Sequence, residues 1–177
     1  MAPLIDQLVR RYGGQLQPDT RRLCTGLEDD LARYWTAPLL GRTLVHGDHR
    51  ADNLLFGPDP EPPVVVDWGG FAEGAAMSDV AYFLGGSLLP HHRRETEGDL
   101  VRRYWDDLVA LGVDDLPWDD CWRQYRIHAF SGLSMAVLAS VSVRRTPRGD
   151  QMFLAMAERH AEQMRDHHAV ELLRAHT

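Results

Sequence analysis

A chain of 177 residues, 44% hydrophobic and 25% charged, is long enough for one domain with its own core and too short for two of ordinary size. Its formal net charge of -7 excludes a general basic face for nucleic acid and would tolerate a cationic small substrate. Two cysteines, Cys24 and Cys121, are too few and too far apart for a disulfide framework or a thiolate zinc site, so a cytoplasmic protein is expected.

The first residues, Met1 to Asp6, carry no basic stretch followed by an apolar run and predict no secretory signal. From Pro18 onward, Leu23, Leu27, Leu31, Tyr34 and Trp35 recur at helical spacing, with Asp19 or Thr20 available as the cap. Thr43-Leu44-Val45 then leads into His46-Gly47-Asp48. Two short apolar runs, Asn53 to Phe56 and Val64 to Val66, flank the turn-rich connector Gly57-Pro58-Asp59-Pro60-Glu61-Pro62-Pro63 and predict a small hairpin.

A glycine-bearing loop from Gly69 to Gly74 precedes a helix capped by Ser78 and continuing through Val80, Phe83 and Leu84. Three long helices complete the chain, roughly Arg93 to Leu111, Asp119 to Val143 and Asp150 to Leu173, with breaks at Pro117 and around Pro147-Arg148-Gly149. The stretch Ile127 to Val143 is apolar, but His128 and its four serines make it a core helix rather than a bilayer span, so no membrane partner is expected. The pairs His91-His92 and His167-His168 sit beside charged residues and predict solvated surface.

The chemistry concentrates in His46-Gly47-Asp48-His49-Arg50-Ala51-Asp52-Asn53. A carboxylate such as Asp48 can orient an acceptor hydroxyl and take its proton, while an amide oxygen five residues on, at Asn53, can ligate a magnesium ion that bridges nucleotide phosphates. Asp67 follows the second apolar run, so a hairpin would return a second carboxylate to the edge that carries Asn53. His49, Arg50 and Asp52 read as solvated loop side chains, and a transition metal on His46, Asp48, His49 and Asp52 is the competing reading of the same cluster.

The pattern His-Gly-Asp-x-x-x-x-Asn, two strands, then Val65-Val66-Asp67-Trp68 resembles the catalytic and metal loops of aminoglycoside phosphotransferases and choline-kinase-like proteins, which share the protein-kinase fold. The resemblance continues through Ala81 to Gly85, Arg103-Tyr104, Tyr125-Arg126 and Ala129 to Leu133, and is expected to cover the chain from Leu44 to the C-terminus. It implies Asp48 as the catalytic aspartate, Asn53 and Asp67 as magnesium ligands, His46 as the prop of the catalytic loop, and Asp79 as a buried helix-start carboxylate bonded to that loop. Trp118, Trp122, Tyr125 and Phe130 read as core packing, but by resemblance Trp122, Tyr125 and His128 are weak candidates for the acceptor side.

The fold this implies is α+β and mostly α: a protein-kinase-like C-terminal lobe, a helical bundle with one small β-hairpin carrying the catalytic and metal loops. Residues 1–42 would be N-terminal helices, 43–76 the catalytic loop, hairpin and metal loop, and 77–177 the helical body. The expected function is transfer of a phosphoryl group from ATP, or another nucleoside triphosphate, to a hydroxyl of a small molecule with Mg2+ as cofactor.

What the resemblance lacks is the nucleotide-covering lobe. All 19 basic residues are arginine, no Gly-x-Gly-x-x-Gly occurs, and residues 1–42 read as helix rather than as a sheet lobe. The chain is therefore expected to be the catalytic lobe only, as a fragment, as one half of a split enzyme with a separate N-terminal lobe, or as a non-catalytic binding module derived from such a kinase. A homodimer through the uncovered face is also expected, and an exposed apolar patch near Leu44 and Phe56 would mark a partner's place.

Overall fold

The computed structural model describes residues 2–37, 40–58 and 61–176. Met1, at the start of the predicted signal-free N-terminus, and Asp59-Pro60 of the predicted connector lie outside the described residues. The described part is mostly helical with two small sheets.

Three helices open the chain: α1 (Ala2–Tyr12), α2 (Pro18–Thr25) and α3 (Glu28–Thr36). α1 buries Ile5, Leu8 and Tyr12 from one face. The single helix predicted from Pro18 is divided at Gly26-Leu27, and α2 starts with Pro18 in its first turn and no side-chain cap, so neither Asp19 nor Thr20 caps it. Thr20 instead donates its hydroxyl to Glu158 at 2.6 Å. α3 carries Glu28, Asp29 and Asp30 in its first turn, where the helix dipole favours negative charge.

Strand β1 (Arg42–Val45) pairs antiparallel with β4 (Ala72–Ala75), with Val45 opposite Ala72 and Arg42 opposite Ala75. Between them, β2 (Leu54–Leu55) and β3 (Val64–Val65) form the predicted hairpin, with Leu54 opposite Val65. The Gly69 to Gly74 loop is thus partly strand. Its residues 72–75 are held by the ladder to β1, and Gly74 is required there because a Cβ would come within 2.9 Å of Val45 Cγ2.

The helical body comprises α4 (Ala76–Ser87), α5 (Pro90–Ala110), α6 (Trp118–Ile127), α7 (Phe130–Ser142), α8 (Pro147–Asp166) and α9 (Ala169–His176). Ser78 lies inside α4 and donates back to Ala75 O at 2.7 Å, so it is not the cap. The helix predicted from Asp119 to Val143 breaks at His128-Ala129, between α6, which packs on α4, α5 and α9, and α7, which packs on α8, α1 and α4. The helix predicted to end near Leu173 stops at Asp166, where His168 turns left-handed at φ 50°. Its start is capped as a helix should be, with Thr146 Oγ1 accepting from Gly149 N at 3.0 Å.

Two apolar clusters hold this arrangement. One joins α1, α2, α3, α7, α8 and α9, and its Leu8, Leu27, Leu31, Leu133 and Leu173 are at most 1% exposed, each contributing roughly 1.5–3 kcal/mol. The other, around Met77, Leu84, Val101 and Tyr125, joins α4, α5 and α6. Beside it lies a buried ionic centre in which Glu97 accepts from Arg93 (2.7 Å), Tyr125 (2.6 Å) and His167 (3.0 Å), while Arg93 also pairs with Asp166. Burial raises the pKa of Glu97, but the hydrogen bonds from His167, Tyr125 and Arg93 outweigh it and hold the carboxyl down at about 2. His167 is therefore buried, contrary to the expectation for the His167-His168 pair, and only His168 is at the surface; His91 and His92 are exposed.

Cys24 and Cys121 are both buried free thiols, each pushed up to about 11, chiefly by burial. Among the described residues no helix is long and apolar enough to cross a membrane.

Candidate active site

The segment from His46 to Asn53 runs from the end of β1 into a 3-10 turn at Ala51–Asn53 that feeds β2. Gly47 makes the first bend at φ 80°, and a Cβ there would meet Gly70 O at 2.6 Å, so only glycine fits. Three groups pin this bend. Asp79, in the first turn of α4, accepts from His46 N at 2.5 Å and Gly47 N at 3.1 Å. The buried His46 ring accepts from Asp48 N through Nδ1 at 3.2 Å and donates from Nε2 to Val66 O at 2.9 Å, tying the bend to the end of β3. Trp68 packs on that ring at a centroid distance of 4.7 Å. Asp79 itself is half-buried rather than buried.

The carboxylate of Asp48 is engaged on both oxygens. Oδ1 accepts from the Tyr82 hydroxyl at 2.8 Å, and Oδ2 from Asn53 Nδ2 at 3.2 Å, with Arg50 Nε 3.4 Å away. Burial first, then the adjacent Asp48 carboxylate, pushes the Tyr82 phenol far above its ordinary range, so it remains a donor at any working pH.

Asn53 is buried, and its Nδ2 also donates to Asp48 O at 2.8 Å. With the amide nitrogen committed twice to Asp48, Asn53 Oδ1 is left to face another donor or a cation. Val66 N donates to Asn53 O at 3.0 Å, which sets the residue before Asp67 directly beside Asn53. Asp67 holds a left-handed conformation, φ 65° and ψ 53°, and its exposed carboxylate has no hydrogen-bond or ion-pair partner among the described residues. An amide oxygen and a free carboxylate on one hairpin end are the hard oxygen donors magnesium takes, so these residues fit that ion. The competing transition-metal reading fares otherwise: among the described residues no group of three or more His, Cys, Asp or Glu side chains converges as a metal site.

The acceptor-side candidates do not border the loop. Tyr125 is fully buried under Glu97, His128 is buried with Nδ1 2.8 Å from the Tyr34 hydroxyl, and Trp122 stacks between Trp118 and Tyr125. Their aromatic bodies serve the core because α6 is clamped between α4, α5 and α9. Arg50, expected as a solvated loop residue, is drawn inward between Asp48, Asp52 (3.3 Å) and Met152 Sδ (3.3 Å).

Beside the loop lies a cavity of about 260 Å3, bordered by Arg50, Tyr82, Met152, Met156, Arg159 and His160. Tyr82 was missed in the sequence although a signal existed: it stands three residues after Asp79, on the same helical face. Arg159 and His160 gave none, since they reach the loop only through the packing of α8 on α4.

The exposed apolar patch expected near Leu44 and Phe56 is present. Phe56 is 74% exposed, and Leu44, Val64 and Phe71 each 62%, in or directly beside the strands of the two small sheets.

Comparison with known proteins bears on the same region. The model of a family described as "Phosphotransferase enzyme family" matches residues 2–116. The match starts ahead of the motifs and ends before α6, short of the C-terminus that the resemblance was expected to reach. A segment of 85 residues is 35% identical to "Acyl-CoA dehydrogenase family member 10" of Mus musculus, covering 47% of this chain and 7% of that protein, so the chain spans a small part of that relative. No solved structure matches the chain.

Proposed function

The chain belongs to the phosphotransferase enzyme family, and on that premise we propose that it carries the acceptor and metal side of an ATP-dependent phosphotransferase acting on a hydroxyl of a small molecule. Its architecture is that of a kinase-like C-terminal lobe: residues 1–42 support, 43–76 carry the chemistry and 77–177 form the body. The observation that carries this reading is the convergence of Tyr82, Asn53 and Arg50 on the Asp48 carboxylate, in a loop pinned by Asp79 and His46.

In the reaction, the acceptor oxygen forms a bond to the γ-phosphorus of ATP as the bond to the β,γ-bridging oxygen breaks. ADP leaves with the electron pair, and the hydroxyl proton passes to Asp48. Asn53 Oδ1 and Asp67 would hold magnesium, which would supply positive charge to offset that of the phosphates. Tyr82 and Asn53 hold Asp48 in one orientation, so that little reorganisation accompanies transfer. Asp79 and His46 act through the loop backbone and touch neither reactant.

The sequence contains no lysine and no glycine-rich nucleotide loop, so the groups that neutralise and cover the triphosphate come from another polypeptide segment. The exposed apolar residues on both small sheets favour that split reading over a non-catalytic module.

Calorimetry with magnesium and ATP, followed by a transfer assay after adding the nucleotide lobe of a family member, tests the proposal. Asp67→Ala is expected to remove magnesium-dependent binding. Asp48→Asn is expected to keep binding and lose turnover by roughly a hundredfold or more. An unchanged rate in Asp48→Asn would overturn the assignment of the base, and absence of both binding and transfer in the reconstituted protein would favour the module.

A further inference from the structure

The cavity beside the loop has features that the motifs do not account for. Three buried side-chain polar atoms lack a hydrogen-bond partner among the described residues, and two of them, Arg50 Nε and His160 Nε2, belong to residues that border it. Buried polar groups are nearly always satisfied, so two orphans at one cavity point to a ligand. Arg50 Nε is a donor that lies at an ion-pair distance of 3.4 Å from Asp48 Oδ2 without making a hydrogen bond.

His160 supplies the opposite polarity. Gln163 Nε2 donates to Ala81 O (3.1 Å) and Tyr125 Oη (3.2 Å), which leaves its Oε1 to accept from His160 Nδ1 at 3.3 Å. The ring proton is therefore on Nδ1 and Nε2 presents a lone pair. Burial pushes the imidazole down to about 4, so it stays uncharged at neutral pH. The ring is built into place: a Cβ at Gly132 would meet it at 2.1 Å, one at Gly85 at 2.6 Å and one at Gly86 at 3.2 Å, while Tyr82 stacks on it at 5.4 Å. A lone donor beside Asp48 and a lone acceptor on the ring that stacks against Tyr82 make this end of the cavity polar, as a hydroxyl requires.

Asp52 and Ser87 also line the cavity, but Asp52 is paired with Arg50 at 3.3 Å and Ser87 Oγ accepts from Ala51 N at 3.1 Å, which leaves Arg159. Its guanidinium donates to Gly86 O at 2.7 Å and makes no ion pair among the described residues. Two arginines of α5, Arg93 and Arg94, are by contrast both paired with Asp166. A half-buried cation at a cavity wall whose one carboxylate, Asp52, is paired with Arg50 favours an anion there. Met152 and Met156 give the wall between the polar groups a pliable apolar lining.

We propose that this cavity is the acceptor pocket and that it selects a small hydroxylated anion, with the hydroxyl at the Arg50 and His160 side next to Asp48 and a carboxylate or phosphate group on Arg159. This rests on the reading of Asp48 as the base, and it selects the opposite sign to the cationic substrate that the net charge of -7 would tolerate. The local field at the cavity, not the global balance, decides which sign enters.

The test is a binding comparison of four probes with one carbon chain: 6-hydroxyhexanoate, 6-hydroxyhexyl phosphate, 1,6-hexanediol and 6-amino-1-hexanol, titrated into the chain by calorimetry. One or both anions are expected to bind, the stronger identifying the head group, with the diol and the amine weaker by roughly tenfold or more. Arg159→Met is expected to erase that margin. Ala155→Glu, at an exposed lining position where the fold tolerates change, is expected to do the same and to favour the amine. Asp48→Asn is expected to keep anion binding.

Equal binding of all four probes, preference for the amine, binding of none, or anion selectivity surviving both Arg159→Met and Ala155→Glu overturns the proposal. Selective anion binding without Asp48-dependent transfer in the reconstituted enzyme would sink the assignment of the base while leaving the pocket standing. Asp48-dependent transfer to the amino alcohol but not to the anions would do the reverse.

Discussion

The hydroxyl of Tyr82 donates to Asp48 Oδ1 at 2.8 Å across more than thirty residues of chain, from the second turn of α4 to the middle of the loop after β1. Because this bond goes to a carboxylate, it is a strong one and fixes the oxygen's direction. Tyr82→Phe is expected to cost about 1–2 kcal/mol of stability in urea unfolding. In the reconstituted enzyme it should slow transfer roughly tenfold with magnesium-nucleotide affinity unchanged. An unchanged rate would show that Asp48 is positioned without the phenol.

Asp79 holds the loop by two backbone amides rather than by any contact with reactants. Asp79→Ala leaves both amides without an acceptor and is expected to destabilise the chain by about 2–4 kcal/mol. Hydrogen exchange should report it locally, with the His46 and Gly47 amides losing protection while α7 and α8 keep theirs. Retained protection at those two amides would assign the pinning to the His46 ring instead.

Gly47 has no permissive substitute. Gly47→Ala combines a φ of 80° with a Cβ set 2.6 Å from Gly70 O, so the loop must move away from the Asp67 hairpin. About 2–4 kcal/mol of destabilisation is expected by chemical denaturation, whereas alanine at Gly98, inside α5 where a Cβ would meet nothing, is expected to leave stability unchanged or raise it.

Two buried histidines set a limit on acid stability. Burial pushes His128 down to about 4 from an ordinary 6.5, and burial, partly opposed by the bond to Gln163, does the same for His160. The unfolded chain therefore binds more protons than the folded one between these values, so stability is fully present above pH 6.5 and is lost as pH falls toward 4. Each site contributes on the order of 1–3 kcal/mol across that window. Urea midpoints at pH 7.5, 5.5 and 4.5 should fall in step, and His128→Phe should flatten the decline by about half if the two sites act independently. A midpoint independent of pH from 7.5 to 4.5 would contradict the burial of both rings.

Much of this molecule could be read before any coordinates, for physical reasons that also explain the exceptions. The hairpin was legible because Leu54-Leu55 and Val64-Val65 are apolar runs around a proline-rich connector. The β1–β4 pair was not, because Ala72-Glu73-Gly74-Ala75 has no β-branched or aromatic residue and becomes a strand only by bonding to Arg42–Val45. The break at His128-Ala129 has no proline or glycine to announce it, and the two helices it separates take different sets of neighbours. At the site, the local motif from His46 to Asn53 was visible, whereas Arg159, His160 and the burial of His167 depend on partners in distant segments. Periodicity reports which face is apolar, but not what a lone polar group on that face will meet.

Asp67 adopts backbone angles, φ 65° and ψ 53°, that glycine reaches without steric penalty and a side-chain-bearing residue does not. Any selection scheme that rewards thermal robustness alone will therefore tend to replace it, and Asp67→Gly should raise the melting midpoint even as the chain loses its response to magnesium. In this corner of the molecule durability and competence pull in opposite directions, and a laboratory variant that survives heating best deserves to be assayed before it is adopted.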